Sequence, residues 1–232
     1  MRIAMIGFGV VGQGLAEILR DKADTLQAEQ DFHCEIVAVA TRSRGTLYHP
    51  DGLDAALLLE AIQKGHLGHY PHVYGLTRNW DTLTLVRQCN ADVVVEVSPT
   101  NLQTGQPALD ICYAALDTGK HMVLANKGPL VAAFAELHEH ARRAGRLLRY
   151  EGTVMAGTPA LRLAQQALAG CRITEARGIL NGTTNYILTQ MGAGLTYAEA
   201  LAQAQKLGYA EADPTADVDG WDAAAKLAIL SG

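Results

Sequence analysis

The sequence predicts an α/β fold in which a parallel sheet carries helices on both faces, followed by a second, smaller domain. Strand-like and helix-like segments alternate up to about residue 150, which is typical of a parallel sheet with helical crossovers. Over residues 151–159 this alternation gives way to glycines and small residues, which indicates a domain crossing. We therefore divide the 232 residues into domains 1–150 and 151–232.

The first element is an apolar strand, residues 2–6, which leads into a glycine-rich turn and an amphipathic helix. The turn has the G-x-G-x-x-G spacing and consists of Gly7, Phe8, Gly9, Val10, Val11 and Gly12. Gly7 permits a tight turn, Gly9 lets the backbone approach a pyrophosphate, and Gly12 lets the helix pack close to the strand. The helix N-terminus favours negative charge. We interpret this as a Rossmann-type dinucleotide site; the alternative is a glycine turn without a ligand.

The end of the second strand bears on the choice of cofactor. The predicted strand at residues 35–40 runs into Thr41-Arg42-Ser43-Arg44, with no acid. Sites that prefer NAD often have an acid there, which bonds the ribose hydroxyls. A guanidinium instead suits a 2′-phosphate through charge-assisted hydrogen bonds. Arg42 therefore favours NADP over NAD, unless Arg42 and Arg44 are solvated loop charges.

The remaining elements of the first domain place further candidates at one edge of the sheet. Helices are predicted at residues 51–64, 106–118 and 129–144, and strands at residues 91–97, 121–125 and 146–150. Ser98, Pro99 and Thr100 follow one of these strands, and Lys127 follows the next. Ligands of such sheets bind beyond the carboxyl ends of the strands, so these residues are site candidates. Lys127 is otherwise a surface lysine.

The second domain contains one segment with two interpretations. Residues 172–180 are strand-like, and Asn181-Gly182 follows them. Asn-Gly predicts a hairpin turn. The residues after it also fit a helix capped by Asn181 or Thr183, and the sequence leaves both interpretations open. A further helix is predicted over residues 197–207, ended by Gly208.

Acidic residues and a lysine are concentrated at the end of the chain. If Gly220 ends a loop and a helix begins near it, Asp222 and Lys226 lie on one face, one turn apart. A carboxylate that close orients the ammonium, which makes the pair a candidate acid–base device. A calcium loop is excluded, because Lys226 stands where that motif needs a glutamate.

Composition indicates which classes of partner and which cellular compartment to expect. The net charge of −5 argues against nucleic acid as the main partner. The longest apolar runs are too short to span a membrane. The four cysteines are scattered without a C-x-x-C pair, which is typical of reduced thiols in a cytoplasmic protein.

The chain resembles the homoserine dehydrogenases along essentially its whole length. The matching stretches are residues 7–14, 125–129, 151–159, 178–187 and 208–226, of which the last is highly specific. The resemblance implies NAD(P)-dependent interconversion of L-homoserine and L-aspartate 4-semialdehyde, in threonine and methionine biosynthesis. It also implies a homodimer and an α+β substrate and dimerisation domain. Family catalytic regions continue beyond the lysine helix, so a chain ending at Gly232 resembles a C-terminally shortened member with an incomplete second domain.

The resemblance also implies roles for individual residues. Lys226 becomes the general acid–base, Asp222 binds the substrate and orients that lysine, and Lys127 lies near nicotinamide and substrate. The residues implied to hold the substrate are Gly208, Glu211, Asp217 and Asp222. The implied ligands of a monovalent cation, usually sodium, are the Glu151 carboxylate and the carbonyls of Val154, Ala156 and Thr158. Residues 181–184 are implied to open a helix.

Two other functions remain open on the sequence. One is a reductase for a different amino acid semialdehyde. The other is a catalytically inactive NADP-binding fragment that retains the fold. The feature that bears on the inactive fragment is the completeness of the chain. The implied catalytic residues are intact, which favours an enzyme, whereas the C-terminal segment of the family is not present, which favours the inactive fragment.

Overall fold

The computed structural model describes residues Met1–Gly232. The chain divides into two compact units, Met1–Tyr150 and Glu151–Gly232. None of its helices combines the length and the apolar character needed to cross a membrane.

A seven-stranded mixed sheet is the framework of the first unit. Its strands are β1 Arg2–Ile6, β2 Glu35–Ala40, β3 Thr46–Tyr48, β4 Thr77–Arg78, β5 Val93–Glu96, β6 His121–Leu124 and β7 Leu148–Arg149. Their spatial order is β4-β3-β2-β1-β5-β6-β7. The pairs β2–β1, β1–β5, β5–β6 and β6–β7 are parallel, whereas the pairs β2–β3 and β3–β4 are antiparallel. The prediction of a parallel sheet is confirmed for five strands and is wrong for β3 and β4 at one edge.

Six helices belong to this unit. They are α1 Val10–Asp21, α2 Ala23–Gln30, α3 Ala55–Gln63, α4 Thr82–Gln88, α5 Ala108–Asp117 and α6 Gly128–Ala144, with a 3-10 turn at Leu67–His69. Helix α3 begins later than predicted because Asp54 is its cap, accepting a hydrogen bond from Leu57 N at 3.0 Å. Pro129 lies in the first turn of α6, as the sequence predicts.

The core of this unit fixes the edge of the sheet at which the candidate site lies. Met5, Phe8 and Leu58 are fully buried in one apolar cluster against the sheet. In the parallel register, Ile6 pairs with Ala40 on one side and Glu96 on the other. The residues that follow β1, β2 and β5 therefore leave the sheet side by side.

The second unit is helical. Its elements are a 3-10 turn at Glu151–Thr153, α7 Ala160–Arg162, a π-helical turn at Leu163–Ala167, α8 Gly182–Gly192, α9 Tyr197–Lys206, α10 Thr215–Val218 and α11 Trp221–Ser231. Its small buried cluster contains Ile187 and three alanines.

Two predictions for this unit are corrected. Residues 172–180 form no strand, because a strand needs a backbone partner and residues 151–232 contain no other strand. The α+β character expected for this domain is therefore not met within these residues. Of the two interpretations left open at Asn181, the hairpin is wrong and the capped helix is confirmed: Asn181 caps α8, and its side chain accepts a hydrogen bond from Thr184 N at 2.8 Å.

Candidate functional site

The glycine turn of the first unit is shaped by close backbone contacts. Gly7 has φ of +97°, and a Cβ on it would lie 2.7 Å from Ser98 N. A Cβ on Gly12 would lie 2.6 Å from the carbonyl oxygen of Gly7. Glycine is therefore required at both positions, because any side chain would collide with backbone. These contacts bring the end of β1, the start of α1 and the residues after β5 together.

Gly9 differs from the other two glycines. Its φ of −84° is accessible to any residue, and a Cβ on it would meet nothing within 4 Å. The space in front of Gly9 adjoins the N-terminus of α1, where Val10 is 90% exposed and no side chain caps the helix. Free backbone N–H groups and the positive end of the helix dipole face this space. The turn thus has the cradle that a pyrophosphate needs.

Two side chains hold the carbonyl of Phe8 in the middle of this turn. Gln13 Nε2 donates to it at 3.0 Å, and Arg44 Nη2 donates to it at 2.9 Å. Arg44 is therefore not the solvated loop charge that the alternative interpretation proposed. Arg42, the predicted 2′-phosphate ligand, is exposed in the same loop.

A buried asparagine organises the neighbouring strand ends. Asn126 is 2% exposed, and its Nδ2 donates to the carbonyls of Ser98 and Pro99, each at 3.3 Å. Its Oδ1 accepts from Gly128 N at 2.9 Å. Lys127, half-buried, lies between these two anchored residues at the start of α6. The candidates Ser98, Pro99 and Lys127 are thus fixed at the same edge of the sheet as the glycine turn.

The carboxyl group of Glu96 lies beneath this edge and is fully buried. Burial raises the pKa of Glu96 to about 7, although hydrogen bonds from Ser98 and Asn126 oppose the rise. Its Oε1 accepts from Ser98 N at 3.1 Å, while Oε2 is buried without a hydrogen-bond partner. The protonated carboxyl is therefore the form that this position favours.

The second unit holds a polar cluster that involves three of the predicted residues. Lys226 Nζ lies 2.6 Å from Asp222 Oδ2, and both side chains are more than four-fifths buried. Gly220, with φ of +82°, precedes α11, so the predicted one-turn spacing of this pair is confirmed. Asn181 Nδ2 donates to Asp217 Oδ1 at 2.6 Å and to Asp222 Oδ2 at 2.9 Å. Lys226 Nζ also donates to the carbonyl of Leu180 at 2.7 Å.

This arrangement suits proton transfer. The ammonium of Lys226 has three donors, of which Asp222 and the Leu180 carbonyl engage two. The third donor remains for a further acceptor, and the side chain is more than four-fifths buried. A lysine held in this way is a suitable acid or base for a neighbouring hydroxyl or carbonyl.

The other predicted substrate residues lie outside this cluster of hydrogen bonds. Gly208, with φ of +78°, ends α9, and Glu211 is exposed in the segment that follows. Two bonds order this segment: Thr183 Oγ1 donates to the Tyr209 carbonyl at 2.6 Å, and Gln205 Nε2 donates to the Glu211 carbonyl at 3.1 Å.

The predicted cation ligands lie in the segment that opens the second unit. The Glu151 carboxylate accepts from Leu161 N at 3.1 Å and from Arg162 N at 2.9 Å, so it caps the short helix α7. Each oxygen has lone-pair capacity left. The carbonyl of Thr158 accepts from Ala160 N at 2.8 Å. A carboxylate with backbone carbonyls is a hard oxygen donor set, which is chemically suitable for sodium.

Sequence reasoning assigned three of these residues no role in a site. They are Glu96, Asn181 as a partner of the acids, and Gln13. Asn181 carried a signal in its Asn-Gly context, but that signal concerned backbone shape. Its acid partners lie 36 and 41 residues away, beyond the reach of any local pattern.

The fold and the glycine turn define a dinucleotide-binding protein of the α/β class. The family model described as "Homoserine dehydrogenase, NAD binding domain" matches residues 7–151, and the one described as "Homoserine dehydrogenase" matches residues 159–232. The chain belongs to the homoserine dehydrogenase family.

Individual relatives agree with this assignment. The chain is 44% identical over 231 residues to an NAD(+)-dependent homoserine dehydrogenase of Pseudomonas canavaninivorans, covering 99% of this chain and 65% of that protein. It is 43% identical to the homoserine dehydrogenase of Methanocaldococcus jannaschii, covering 100% and 68%. The solved structure of a hyperthermophilic archaeal homoserine dehydrogenase in complex with NADPH matches with a TM-score of 0.85 at 30% identity, covering 99% and 68%. The chain thus spans about two thirds of the length of these relatives.

Proposed function

We propose that this chain carries the cofactor-binding and catalytic parts of a homoserine dehydrogenase, which interconverts L-homoserine and L-aspartate 4-semialdehyde by hydride transfer with NAD(P). The reaction belongs to the aspartate-derived route to threonine and methionine. The observation that carries the proposal is the 2.6 Å ion pair between Lys226 and Asp222, largely buried in the most specific stretch of the family resemblance. Membership of the family supports the choice of substrate.

The cofactor lies over the glycine turn in this proposal. The residues that hold it are Gly7, Phe8, Gly9, Val10, Val11, Gly12, Arg42, Ser98, Pro99, Thr100 and Lys127. The open space before Gly9 and the uncapped N-terminus of α1 support this site. When bound, the cofactor supplies the nicotinamide carbon that accepts or gives the hydride.

NADP is the preferred form in this proposal. No acid follows β2, and the exposed guanidinium of Arg42 suits a 2′-phosphate. The relative from Pseudomonas canavaninivorans is named as NAD(+)-dependent, which makes NAD the alternative to test.

The chain's own residues move the proton. As the neutral amine, Lys226 takes the proton from the substrate hydroxyl while the hydride leaves, and as the ammonium it returns the proton to the carbonyl oxygen in the reverse direction. Asp222 holds the ammonium on the substrate side and contacts the substrate. Asp217, Glu211 and Gly208 hold the amino acid part. Lys127 contributes positive charge near the nicotinamide and the reacting oxygen.

A monovalent cation, sodium, completes the proposal. Its ligands are the Glu151 carboxylate and the carbonyls of Val154, Ala156 and Thr158. The hard oxygen donors and the lone pairs that Glu151 retains support this choice.

By the family resemblance we further propose a homodimer in the cytoplasm. The net charge of −5 favours small-molecule substrates over nucleic acid.

The test is reduction of NADP⁺ by the purified chain in the presence of L-homoserine, with NAD⁺ in parallel. Homoserine-dependent NADPH formation supports the proposal, and the ratio of the two rates reports cofactor preference. Binding of NADPH to folded protein without turnover favours the inactive NADP-binding fragment. Turnover of another amino acid alcohol in place of L-homoserine favours the alternative reductase.

A further inference from the structure

We propose that Asn181 is a positioning residue that holds two carboxylates, Asp217 and Asp222, in place around Lys226. The proposal rests on the proposed function for its catalytic consequence. Its structural content, however, concerns the second unit alone, so the two can be tested separately.

The amide of Asn181 is buried and uses both of its ends. The side chain is 6% exposed. Its Nδ2 donates to Asp217 Oδ1 at 2.6 Å and to Asp222 Oδ2 at 2.9 Å. Its Oδ1 accepts from Thr184 N at 2.8 Å and from Thr184 Oγ1 at 3.0 Å. Both N–H donors therefore serve the acids, while the oxygen serves as the cap of α8.

Asn181 and the residue before it act on both members of the ion pair. Asp222 Oδ2 accepts from Asn181 Nδ2 and also lies 2.6 Å from Lys226 Nζ. The carbonyl of Leu180 accepts from the same Nζ at 2.7 Å. A single dipeptide, fixed at the start of α8, thereby sets the position of the carboxylate and of the ammonium.

The choice of side chain follows from charge. Asp217 and Asp222 are both acceptors and repel each other when ionised. A neutral NH₂ group between them satisfies one oxygen of each without adding charge. Aspartate has the same shape, yet its second oxygen in the place of Nδ2 would put a third negative charge within 3 Å of both acids. Serine is too short to donate to both.

Two substitutions separate this role from helix capping. Asn181→Ser and Asn181→Asp both keep an oxygen that can cap α8, because serine, aspartate and asparagine are similarly good caps. Both lose the NH₂ donor. Asn185→Ser and Asn185→Asp are matched controls in the same helix, since Asn185 is exposed.

The first measurement is steady-state oxidation of L-homoserine. We expect kcat to fall at least about tenfold in both Asn181 variants, because losing a hydrogen bond to a charged group changes a rate by about that factor. The KM for NADP⁺ should stay within about twofold, because its site is assigned to the other unit. The melting temperature of Asn181→Ser should shift by less than about 4 °C, because the cap persists. A merely structural role predicts the reverse, with unchanged kcat and a lower melting temperature, and would overturn the proposal.

The second measurement does not need turnover. Trace acetylation of the folded chain with acetic anhydride at pH 9, read by peptide mass spectrometry, gives the relative reactivity of the Lys226 amine. An added carboxylate beside Asp222 holds the proton on the ammonium, and only the free amine reacts. We expect acetylation of Lys226 to be at least about threefold slower in Asn181→Asp than in the charge-matched Asn185→Asp.

These outcomes distinguish the two proposals. Slower acetylation in Asn181→Asp, with no homoserine turnover even in the parent chain, supports the role of Asn181 and contradicts the proposed function. Equal acetylation in Asn181→Asp and Asn185→Asp contradicts the positioning role, whatever the turnover.

Discussion

In the unit Met1–Tyr150, large apolar side chains such as Met5 and Leu58 are fully buried against a seven-stranded sheet. In the unit Glu151–Gly232, the buried cluster consists of Ile187 and three alanines, while Trp221 is 61% exposed. The first unit forms its candidate site from backbone, at strand ends that the core holds rigidly. The second forms its candidate site from side chains that hydrogen-bond one another. Shape should therefore govern the first site, and charge and hydrogen bonding the second.

The largest effect should come from the charged site. Lys226→Ala removes the only ammonium of the polar cluster. We expect turnover to fall by about 10²–10⁴-fold, the usual contribution of a general acid–base. The dissociation constant of NADPH, measured by its fluorescence, should not change, because the glycine turn lies in the other unit.

Lys206→Ala is the matched control, because Lys206 is an exposed lysine at the end of α9. It should retain full turnover. If Lys226→Ala also retained it, Lys226 would not be the acid–base.

A buried charge in the apolar unit should have the next largest effect. The pKa of Glu96 is about 7 in the folded protein, against about 4.5 for an exposed glutamate. Because the folded value is the higher one, the stabilisation is complete below pH 4.5 and is lost as the pH rises through 7. The difference corresponds to about 3 kcal/mol of the free energy of unfolding. Glu96→Gln should remove most of this dependence and leave the first unit more stable than the parent at pH 8.5.

Urea denaturation at pH 5 and pH 8.5 measures this effect. Trp221→Phe serves as the background, since it leaves Trp80 as the single tryptophan and reports on the first unit alone. Glu17→Gln is the control, because Glu17 is exposed. An identical pH dependence with and without Glu96→Gln would show that the buried carboxyl is not the source.

The glycine turn tests whether shape governs the first site. Gly12→Ala places a methyl group 2.6 Å from the Gly7 carbonyl oxygen. We expect a loss of about 1–3 kcal/mol in the free energy of unfolding.

Gly9→Ala meets nothing within 4 Å, so the free energy of unfolding should change by less than about 0.5 kcal/mol. Its methyl group enters the cradle, however, and NADPH should bind at least about tenfold more weakly.

Gly14→Ala is the control, because a Cβ there also meets nothing within 4 Å and Gly14 is not among the predicted cofactor ligands. It should bind NADPH normally. Unchanged NADPH binding in Gly9→Ala would mean that the space before Gly9 is not the phosphate cradle.

The smallest effect concerns local structure in the second unit. Thr196 and Glu199 form a reciprocal cap at the start of α9, with Thr196 N donating to Glu199 Oε2 at 2.9 Å. Thr196→Ala should cost about 1 kcal/mol. Thermal unfolding followed by Trp221 fluorescence in a Trp80→Phe background measures it, with the exposed Gln203→Ala as control. A loss above about 2 kcal/mol would indicate that Thr196 contributes more to the free energy of unfolding of this unit than its cap alone does.

Local patterns predicted the parts of the fold that depend on neighbours in sequence. The glycine turn, α6 with Pro129 and the one-turn spacing of Asp222 and Lys226 were all predictable in this way. Strands β3 and β4 were missed because two or three residues are too few to show a period. Residues 172–180 have the composition of a strand but lack a partner strand in residues 151–232, and pairing cannot be read from a single segment.

The same distinction between local sequence patterns and contacts formed on folding applies to the candidate sites. The residues of the glycine turn follow from one continuous motif. The contacts of Asn181 and Glu96 follow from elements that meet only after folding, so no spacing rule points to them. The family resemblance named Lys226 and Asp222 but gave Asn181 no role in holding them.

The cap of α8 has a consequence for dynamics. Asn181 holds the amide hydrogen of Thr184 with one end of its side chain and the two acids with the other. Fraying of the first turn of α8 therefore also releases the acids, and ordering of the acids by a ligand suppresses fraying. Hydrogen exchange at the Thr184 amide becomes a remote gauge of whether the polar cluster is assembled.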